Sequence, residues 1–245
     1  MIWHHLVQAL LIAKGITHLP HVSINLMLTL AVANDPFFQK VTLQFFKKAN
    51  RRHPKFPLVR TFEYGFCVSH LKNGFENYYS TIEPSARRNQ KKAERLGYVF
   101  EKIDYNAHLT GITDIRRSST VRQGKAVPAQ HFQKQAAPIQ NPPSQTRFHD
   151  YPYFGILKDG KIVAFAACLV AGEICQIEEI FGHTDHQADG IVPMLIIQMA
   201  RHISAEYPQV AYFCYGNHYG ASDTMKRFKK KLGFVPHKVS WKLND

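Results

Sequence analysis

Hydrophobic positions from residue 151 onward follow two periods in turn. Apolar runs ending at Lys158, at Val170 and at Phe181 are separated by an Asp159-Gly160 pair and by the residues Ala-Gly-Glu. Short apolar runs joined by turn residues are typical of strands, and Asp-Gly between two of them is a strong hairpin signal. The pattern predicts a meander of three antiparallel strands over residues 153–181.

The period changes after this meander. Ile191, Met194 and Ile197 recur at helical spacing up to about residue 206. Residues 209–216 are apolar enough for a strand, and a closing strand is predicted over 234–243. Between them lies a helix punctuated by Ser222 and Gly233, which are residue types typical of a helix start and a helix end.

The first 150 residues carry weaker patterns. Two or three helical segments are predicted up to residue 56. The segment 124–150, rich in Gln and Pro, is predicted as a long surface loop or as a short helix followed by a loop. The remaining predicted elements are a strand at 58–71, a helix at 80–97, a strand at 98–105 and a helix at 107–123. We therefore divide the chain into an N-terminal helical extension or degenerate half-domain, 1–80, and an α/β domain, 81–245.

Cysteine usage and the N-terminus bear on location. The four cysteines form no Cys-x-x-Cys pair and stand in apolar surroundings, which indicates buried thiols in a reducing compartment. The apolar N-terminus is interrupted by Lys14, Gly15 and Pro20 before a membrane-spanning run accumulates, and no small-residue cleavage site follows a basic start. We expect a cytoplasmic protein without a transmembrane segment.

The charge balance favours an anionic partner. The formal net charge is +13, with Lys and Arg concentrated at 47–60, 87–95 and 226–231. Such a charge suits nucleotide phosphate, nucleic acid or a membrane surface. Each cluster is equally consistent with a solvated helix face.

One connection is a candidate anion site. The stretch "HTDHQADGIV", residues 183–192, lies between a predicted strand and a predicted helix. The first turn of a helix presents unpaired backbone N–H groups and a partial positive charge. This position predicts a phosphate-binding loop rather than a simple polar connection.

The order of elements from residue 98 to the end resembles the Gcn5-related N-acetyltransferase superfamily. "QADGIV" at 187–192 stands where that superfamily carries Arg/Gln-x-x-Gly-x-Gly/Ala, and "RFKKKLGFVPHKVSW" at 227–241 is similar to its closing segment. "SARRNQKKAERLGY" at 85–98 and "RQGKAVP" at 122–128 are similar to its Fem-type peptidyltransferase branch. The resemblance implies a mixed, largely antiparallel sheet flanked by helices.

The resemblance also implies residues that bind the acyl donor, acyl-CoA. A strand-end backbone N–H would polarise the acyl carbonyl, the loop amides would bind a pyrophosphate, and lysines of the 226–231 cluster (Lys226, Lys229 or Lys230) would meet the 3′-phosphate. The implied set is Ile180, Phe181, Gly182, Gln187, Ala188, Asp189, Gly190, Ile191, Val192, Lys226 and Lys229.

In this superfamily the reaction is the transfer of an acyl group from a thioester to an amine, which needs a proton acceptor and a proton donor. Glu178 and Glu179 are candidate bases, and since neighbouring strand residues point to opposite faces, only one is expected to face the cleft. The family's leaving-group acid is commonly a tyrosine, which suggests Tyr219 first and Tyr215 second.

Two histidines of the loop are further candidates. Histidine is a common general base in enzymes, so His183 and His186 are alternative bases. With Asp185 and Asp189 they suggest a metal, but no third ligand has a firm spacing, and a packed polar loop is the preferred interpretation. No metal site is predicted.

Three functions remain open at this point. The first is an enzyme, an N-acyltransferase that moves an acyl group, acetyl first, from acyl-CoA to an unidentified primary amine. The second is a Fem-like aminoacyl transferase that uses charged tRNA. The third is a non-catalytic binding protein of this fold, indicated by Val192 and Pro193 in place of an open glycine-rich turn. The acceptor and the oligomeric state are left open.

Overall fold

The computed structural model describes residues 18–31, 35–54, 59–119, 121–122, 125–126 and 135–244. Its strands are β1 His21–Asn25, β2 Tyr64–His70, β3 Val99–Ile103, β4 Val121–Arg122, β5 Lys125–Ala126, β6 His149–Asp150, β7 Tyr153–Lys158, β8 Lys161–Ala171, β9 Ile174–Gly182, β10 Tyr212–Asn217 and β11 Val235–Lys242. Its helices are α1 Pro36–Asn50, α2 Gly74–Thr81, α3 Pro84–Arg95, α4 Leu109–Arg117, α5 Ile191–Glu206 and α6 Asp223–Lys231. Short 3₁₀ turns lie at Leu28–Leu30, Tyr105–His108 and Thr184–Asp189.

One mixed sheet organises these elements. Its strand order is β1-β11-β2-β10-β9-β8-β7-β3, and β6 pairs with β8. The pairs β1–β11 and β9–β10 are parallel, and the other pairs of the sheet are antiparallel. The predicted mixed, largely antiparallel sheet flanked by helices is confirmed.

Local signals placed several elements correctly. The turn between β7 and β8 is formed by Asp159 (φ 49°) and Gly160 (φ 76°), a left-handed pair as the Asp-Gly signal predicts. Ser222 caps α6, since its side chain accepts a hydrogen bond from the Met225 N–H at 3.3 Å.

The N-terminal part differs from the predicted run of helices. α1 is helical as expected, whereas His21–Asn25 is a strand that pairs in parallel with β11. β2 lies between β10 and β11, so residues from both sides of position 80 build the same sheet. The domain division at residue 80 stays a prediction, as do the calls on residues 1–17 and most of 122–128, which lie outside the described residues.

Helices cover both faces of the sheet. The larger core lies between one face and α2, α3 and α5, where Phe154, Cys175 and Ile177 meet α5 residues such as Leu195. On the opposite face, α1 packs over Leu169 and Ile174, and α4 packs over Ile162 and Phe165. The space between α1 and α4 on that second face is where the candidate site lies.

Within the described ranges, none of the helices combines the length and the apolar character needed to cross a membrane.

Candidate active site

The parallel strands β9 and β10 separate partway along their length. They pair only at Ile174–Tyr212, Cys175–Phe213 and Gln176–Cys214, while β9 runs on to Gly182 and β10 to Asn217. Backbone groups in the separated halves do not pair with each other across this gap. The gap therefore provides an opening in the sheet with backbone donors and acceptors along its edges.

A β-bulge lies on β9 just beyond this point. Cys168 of β8 is opposite Ile177, whereas the preceding residue, Ala167, is opposite Glu179. Glu178 is thus the extra residue of the bulge. Ile177 and Ile180 pack in the α5-side core, and both glutamates between them face the other side. The bulge interrupts strict alternation, so both glutamates lie on one side of the sheet, but of the two only Glu178 lines the cavity.

A cavity of about 400 Å³ lies on that second face, beneath α1. Its volume falls in the range of small-molecule sites. Aliphatic, aromatic, polar and charged side chains all contribute to the wall. The lining residues are Phe37, Val41, Gln44, Phe45, Lys48, Asn141, Tyr151, Tyr153, Leu169 and Glu178.

Glu178 is the acidic group of the cavity. Its side chain is 27% exposed, and its Oε2 lies 3.9 Å from Lys48 Nζ. Burial raises the pKa of Glu178 above the ordinary 4.5, and the nearby Lys48 ammonium acts in the opposite direction. A carboxylate with a raised pKa in a cleft is suited to accept a proton from an amine.

Glu179 has a different environment. Arg116 Nη2, on α4, lies 3.0 Å from both Glu179 carboxylate oxygens. The guanidinium is held over the rings of Phe165 and Phe181, at 5.3 and 5.9 Å from their centroids. Glu179 is therefore fixed in an ion pair, which makes it a weaker candidate for the base than Glu178.

Two tyrosines stand beside the glutamates. Burial raises the pKa of Tyr153 to about 12, and burial, with the carboxylate of Glu178 as the next cause, raises the pKa of Tyr151. Both hydroxyls are therefore protonated at neutral pH and available as hydrogen-bond donors. Tyr153 also accepts a hydrogen bond from Asn141 Nδ2 at 3.4 Å.

The predicted phosphate loop is a compact 3₁₀ turn. His183 precedes it, and its Nδ1 accepts a hydrogen bond from the Asp185 N–H at 3.3 Å. Gln187 Nε2 donates to the carbonyl of Gly182 at 3.0 Å, which ties the loop to the end of β9. Gly190 ends the turn with φ 86° and directly precedes α5.

The loop is anchored on α3 by charge and by close contact. Lys92 Nζ donates to the Ala188 carbonyl at 2.9 Å and pairs with Asp189 at 3.0 Å. Tyr98 donates to Asp189 Oδ2 at 2.8 Å and lies 2.7 Å from His186 Nδ1. Hydrogen bonds from Lys92 and then Tyr98 lower the pKa of Asp189. Ala188 and Asp189 therefore already have partners on and next to α3.

The start of α5 has few free donors. The first two residues of the helix, Ile191 and Val192, each carry a backbone N–H, and the third, Pro193, has none. A Cβ added to Gly182 would stand 2.7 Å from Val192 Cγ2, so the valine packs closely on the end of β9. Ile180 is buried, and Phe181 stacks on Phe165 with centroids 5.5 Å apart.

The predicted site residues around β10 and α6 lie in different environments. Tyr215 packs edge-on against Phe234 at 5.7 Å. The Tyr219 ring covers Gly65 so closely that a Cβ added to this glycine would lie 2.3 Å from the ring. Burial raises the pKa of Tyr219. Lys226 lies at the surface and pairs with Asp223 at 3.1 Å.

Lys229 does not lie at the surface, where a contact with the 3′-phosphate was predicted. Its side chain is buried, and its Nζ donates to the Asn217 carbonyl at 2.8 Å and lies 5.0 Å from the Tyr215 ring centroid. Burial lowers the pKa of this lysine. The inward position of Lys229 follows from the orientation of α6, which turns this residue toward the sheet while Arg227 and Lys230 face outward.

Sequence reasoning missed the α1 contribution to the cavity. Phe37, Val41, Gln44, Phe45 and Lys48 recur at three- and four-residue intervals on one face of α1. That stripe was visible in the sequence as an amphipathic helix, but its partner surface was not. In the described ranges, no group of three or more His, Cys, Asp or Glu side chains is arranged to hold a metal ion.

Comparisons with known proteins give fold relationships only. No protein-family model and no curated protein sequence matches the chain. The structure of FemX superposes with a TM-score of 0.56 at 9% identity, over 85% of this chain and 68% of FemX. At this identity the match shows a shared fold, and it confirms the resemblance to the Fem branch at that level.

Two further structures match less closely. One is the C-terminal DUF2156 domain of a protein assigned as a lysylphosphatidylglycerol synthetase from Agrobacterium fabrum (TM-score 0.45, 16% identity, 71% of this chain and 58% of that one). The other is a tandem GNAT protein from the clavulanic acid biosynthesis pathway (TM-score 0.45, 11% identity, 71% of this chain and 50% of that one). The chain thus spans between half and three fifths of the length of these two structures.

Proposed function

We propose that this protein transfers an acyl group, acetyl in the simplest case, from the thioester of acyl-CoA to a primary amine bound in the cavity beneath α1. The observation that carries the proposal is the position of Glu178. It stands on the bulge of β9, two residues beyond the last β9–β10 pair, and its carboxylate lines the cavity. A base is therefore next to an opening in the sheet through which a donor can approach.

Glu178 would prepare the amine for attack. An ammonium ion has no lone pair, so a proton must move to a base before or as the C–N bond forms. The raised pKa of Glu178 brings its proton affinity closer to that of an amine than an ordinary carboxylate would have. The C–S bond then breaks, and the departing thiolate takes a proton.

Two other groups would assist. Backbone N–H groups at Ile180 to Gly182, near the strand end, are our proposal for polarising the acyl carbonyl. Those of Gln187 to Val192 are our proposal for binding the pyrophosphate, apart from the Gly190 N–H, which donates to the Gln187 carbonyl at 3.1 Å. Tyr219, or else Tyr215, would protonate the thiolate, since a tyrosine hydroxyl is a proton donor at neutral pH. Lys226 and Lys230 remain candidates for the 3′-phosphate.

The test combines donor binding with turnover. CoA, acetyl-CoA and longer acyl-CoAs are screened by thermal shift, since a ligand that binds only the folded state raises the unfolding temperature. The donor that binds is then incubated with a panel of primary amines, and products are identified by mass spectrometry. Absence of both a thermal shift at millimolar donor and any acylated amine would rule the proposal out.

An aminoacyl-tRNA donor is the second candidate. The fold shared with FemX favours it, as does the outward-facing basic side of α3, which includes Arg87, Arg88 and Lys91. Binding to tRNA phosphates releases counterions, so affinity should fall steeply between 50 and 200 mM salt, on the order of 10-fold or more for several contacts. Salt-independent or undetectable tRNA binding would remove this candidate.

We also propose a cytoplasmic location. Cys67, Cys168, Cys175 and Cys214 are all free and buried, which supports a compartment where thiols stay reduced. Fractionation of cells that express a tagged chain tests this directly.

A further inference from the structure

The charged pair at the cavity has an unusual setting for a surface ion pair. Lys48 and Glu178 come from different layers, α1 and β9, and their charged atoms are 3.9 Å apart. The lysine is 58% exposed at its side chain, whereas the glutamate is 27% exposed. Lys48 Nζ also lies 5.4 Å from the centroid of the Phe62 ring, which helps to hold it near the cavity.

The cavity wall around this pair combines apolar and polar groups. Phe37, Val41, Phe45 and Leu169 contribute hydrocarbon surface, and Phe45 and Leu169 are themselves buried. Tyr151 and Tyr153 add aromatic surface with hydroxyl groups that stay protonated at neutral pH. The charge pair is thus set beside a wall of mixed aromatic, aliphatic and polar side chains.

A ligand that carries only an amine fits this arrangement poorly. Its ammonium would compete with Lys48 for Glu178, and binding would leave the lysine without its counter-charge. A ligand that carries an ammonium and a carboxylate on one carbon can replace both halves of the pair at once. The ammonium then faces Glu178, the carboxylate faces Lys48, and the opposite charges remain balanced.

From these contacts we infer that the acyl acceptor is a free α-amino acid. The inference rests on the proposed function, because it identifies the acyl acceptor that binds in that same cavity. Lys48 is the specificity-determining residue, since it recognises the carboxylate that distinguishes an amino acid from a simple amine.

The first experiment measures binding without any acyl donor. L-Phenylalanine and L-leucine are titrated into the full chain by calorimetry, beside 2-phenylethylamine and 3-methylbutylamine, which lack only the carboxylate. We expect each amino acid to bind about 10-fold more tightly than its amine counterpart, the discrimination typical of one charged contact. Equal affinities, or no binding by either amino acid, would overturn the inference.

The second experiment assigns the preference to one side chain. Lys48→Gln should reduce the ratio of amino-acid to amine affinity to near one, and Lys48→Arg should restore most of it. The matched control is Lys47→Gln, which removes the same charge from the neighbouring exposed position outside the cavity lining. A preference that survives in Lys48→Gln would show that another group reads the carboxylate.

The results separate this inference from the proposed function. If simple amines are acylated as well as amino acids, the transferase stands and the substrate assignment fails. If amino acids bind with the expected Lys48 dependence but no donor yields an acylated product, the site assignment stands and the transferase fails.

Discussion

Glu178 and Glu179 are adjacent in the chain and lie on the same face of the sheet, because the β8–β9 register shifts by one residue between Ala167 and Cys168. Their environments nevertheless differ. Glu178 lines the cavity, whereas Glu179 is bound by Arg116 through both oxygens at 3.0 Å. The bulge thus produces one carboxylate available for chemistry and one held in an ion pair.

This difference predicts a split between activity and stability. Glu178→Gln should lower kcat by about 10²- to 10⁴-fold, the usual contribution of a general base. Glu179→Gln should leave most of the activity but lower the free energy of unfolding by about 1 kcal/mol, a modest value because the pair is partly exposed. Steady-state kinetics and urea unfolding of both variants measure the two effects. The roles would be reversed if Glu179→Gln caused the larger loss of kcat.

The pH dependence of the rate should report Glu178. A protonated carboxyl group accepts no proton, so kcat/KM should fall as the pH drops through the pKa of Glu178. Burial raises that pKa, which places the midpoint above 4.5. Lys48→Gln removes the charge that holds the pKa down, so its midpoint should move to higher pH. A midpoint that moves down or stays fixed in this variant would contradict the assignment, and Lys47→Gln is the control.

Gly190 is expected to tolerate no side chain. Its φ is 86°, and an added Cβ would stand 2.5 Å from the backbone carbonyl oxygen of Asn89 on α3. Gly160→Ala is a matched control, with φ 76° and open space around the added carbon. The control should cost about 1 kcal/mol from backbone strain alone, and Gly190→Ala about 2–4 kcal/mol, since backbone atoms must also move.

Urea unfolding and thermal unfolding of both glycine variants measure the difference. Equal losses of stability would mean that the loop moves away from α3 without cost, and the close packing of Gly190 on Asn89 would then have no energetic weight.

Buried histidines should make the fold less stable in mild acid. Burial lowers the pKa of His149 and of His237 below the ordinary 6.5. Each unfolded-state ring therefore binds a proton more readily than the folded one, so the unfolded state takes up protons first as the pH falls. The free energy of unfolding should be highest above pH 6.5 and decrease as the pH falls below it.

This decrease can be traced to individual rings. Urea unfolding between pH 8 and 5 gives the slope, and His237→Gln should flatten it because one titrating group is lost. The wild-type slope, measured in parallel, is the reference for this comparison. A slope unchanged in His237→Gln would assign the acid sensitivity to other groups.

Much of the α/β framework was predicted from local patterns. The Asp159-Gly160 hairpin, the start of α6 at Ser222 and the loop that enters α5 at Gly190 depend on residues within a few positions of one another. Turn geometry and helix capping are short-range effects, so the sequence carries them directly. β1 was missed because a five-residue strand at an edge depends on pairing with β11, more than 200 residues away.

The sequence by itself determined the order of the main elements, the basic character of the chain and a polar loop between a strand and a helix. Only the tertiary structure decided which carboxylate lines a cavity, because the bulge at Glu178 exists only in register with β8. It also brought Lys48 of α1 to within 3.9 Å of Glu178 and turned Lys229 inward. These contacts join residues far apart in sequence, and no local pattern encodes the packing that brings them together.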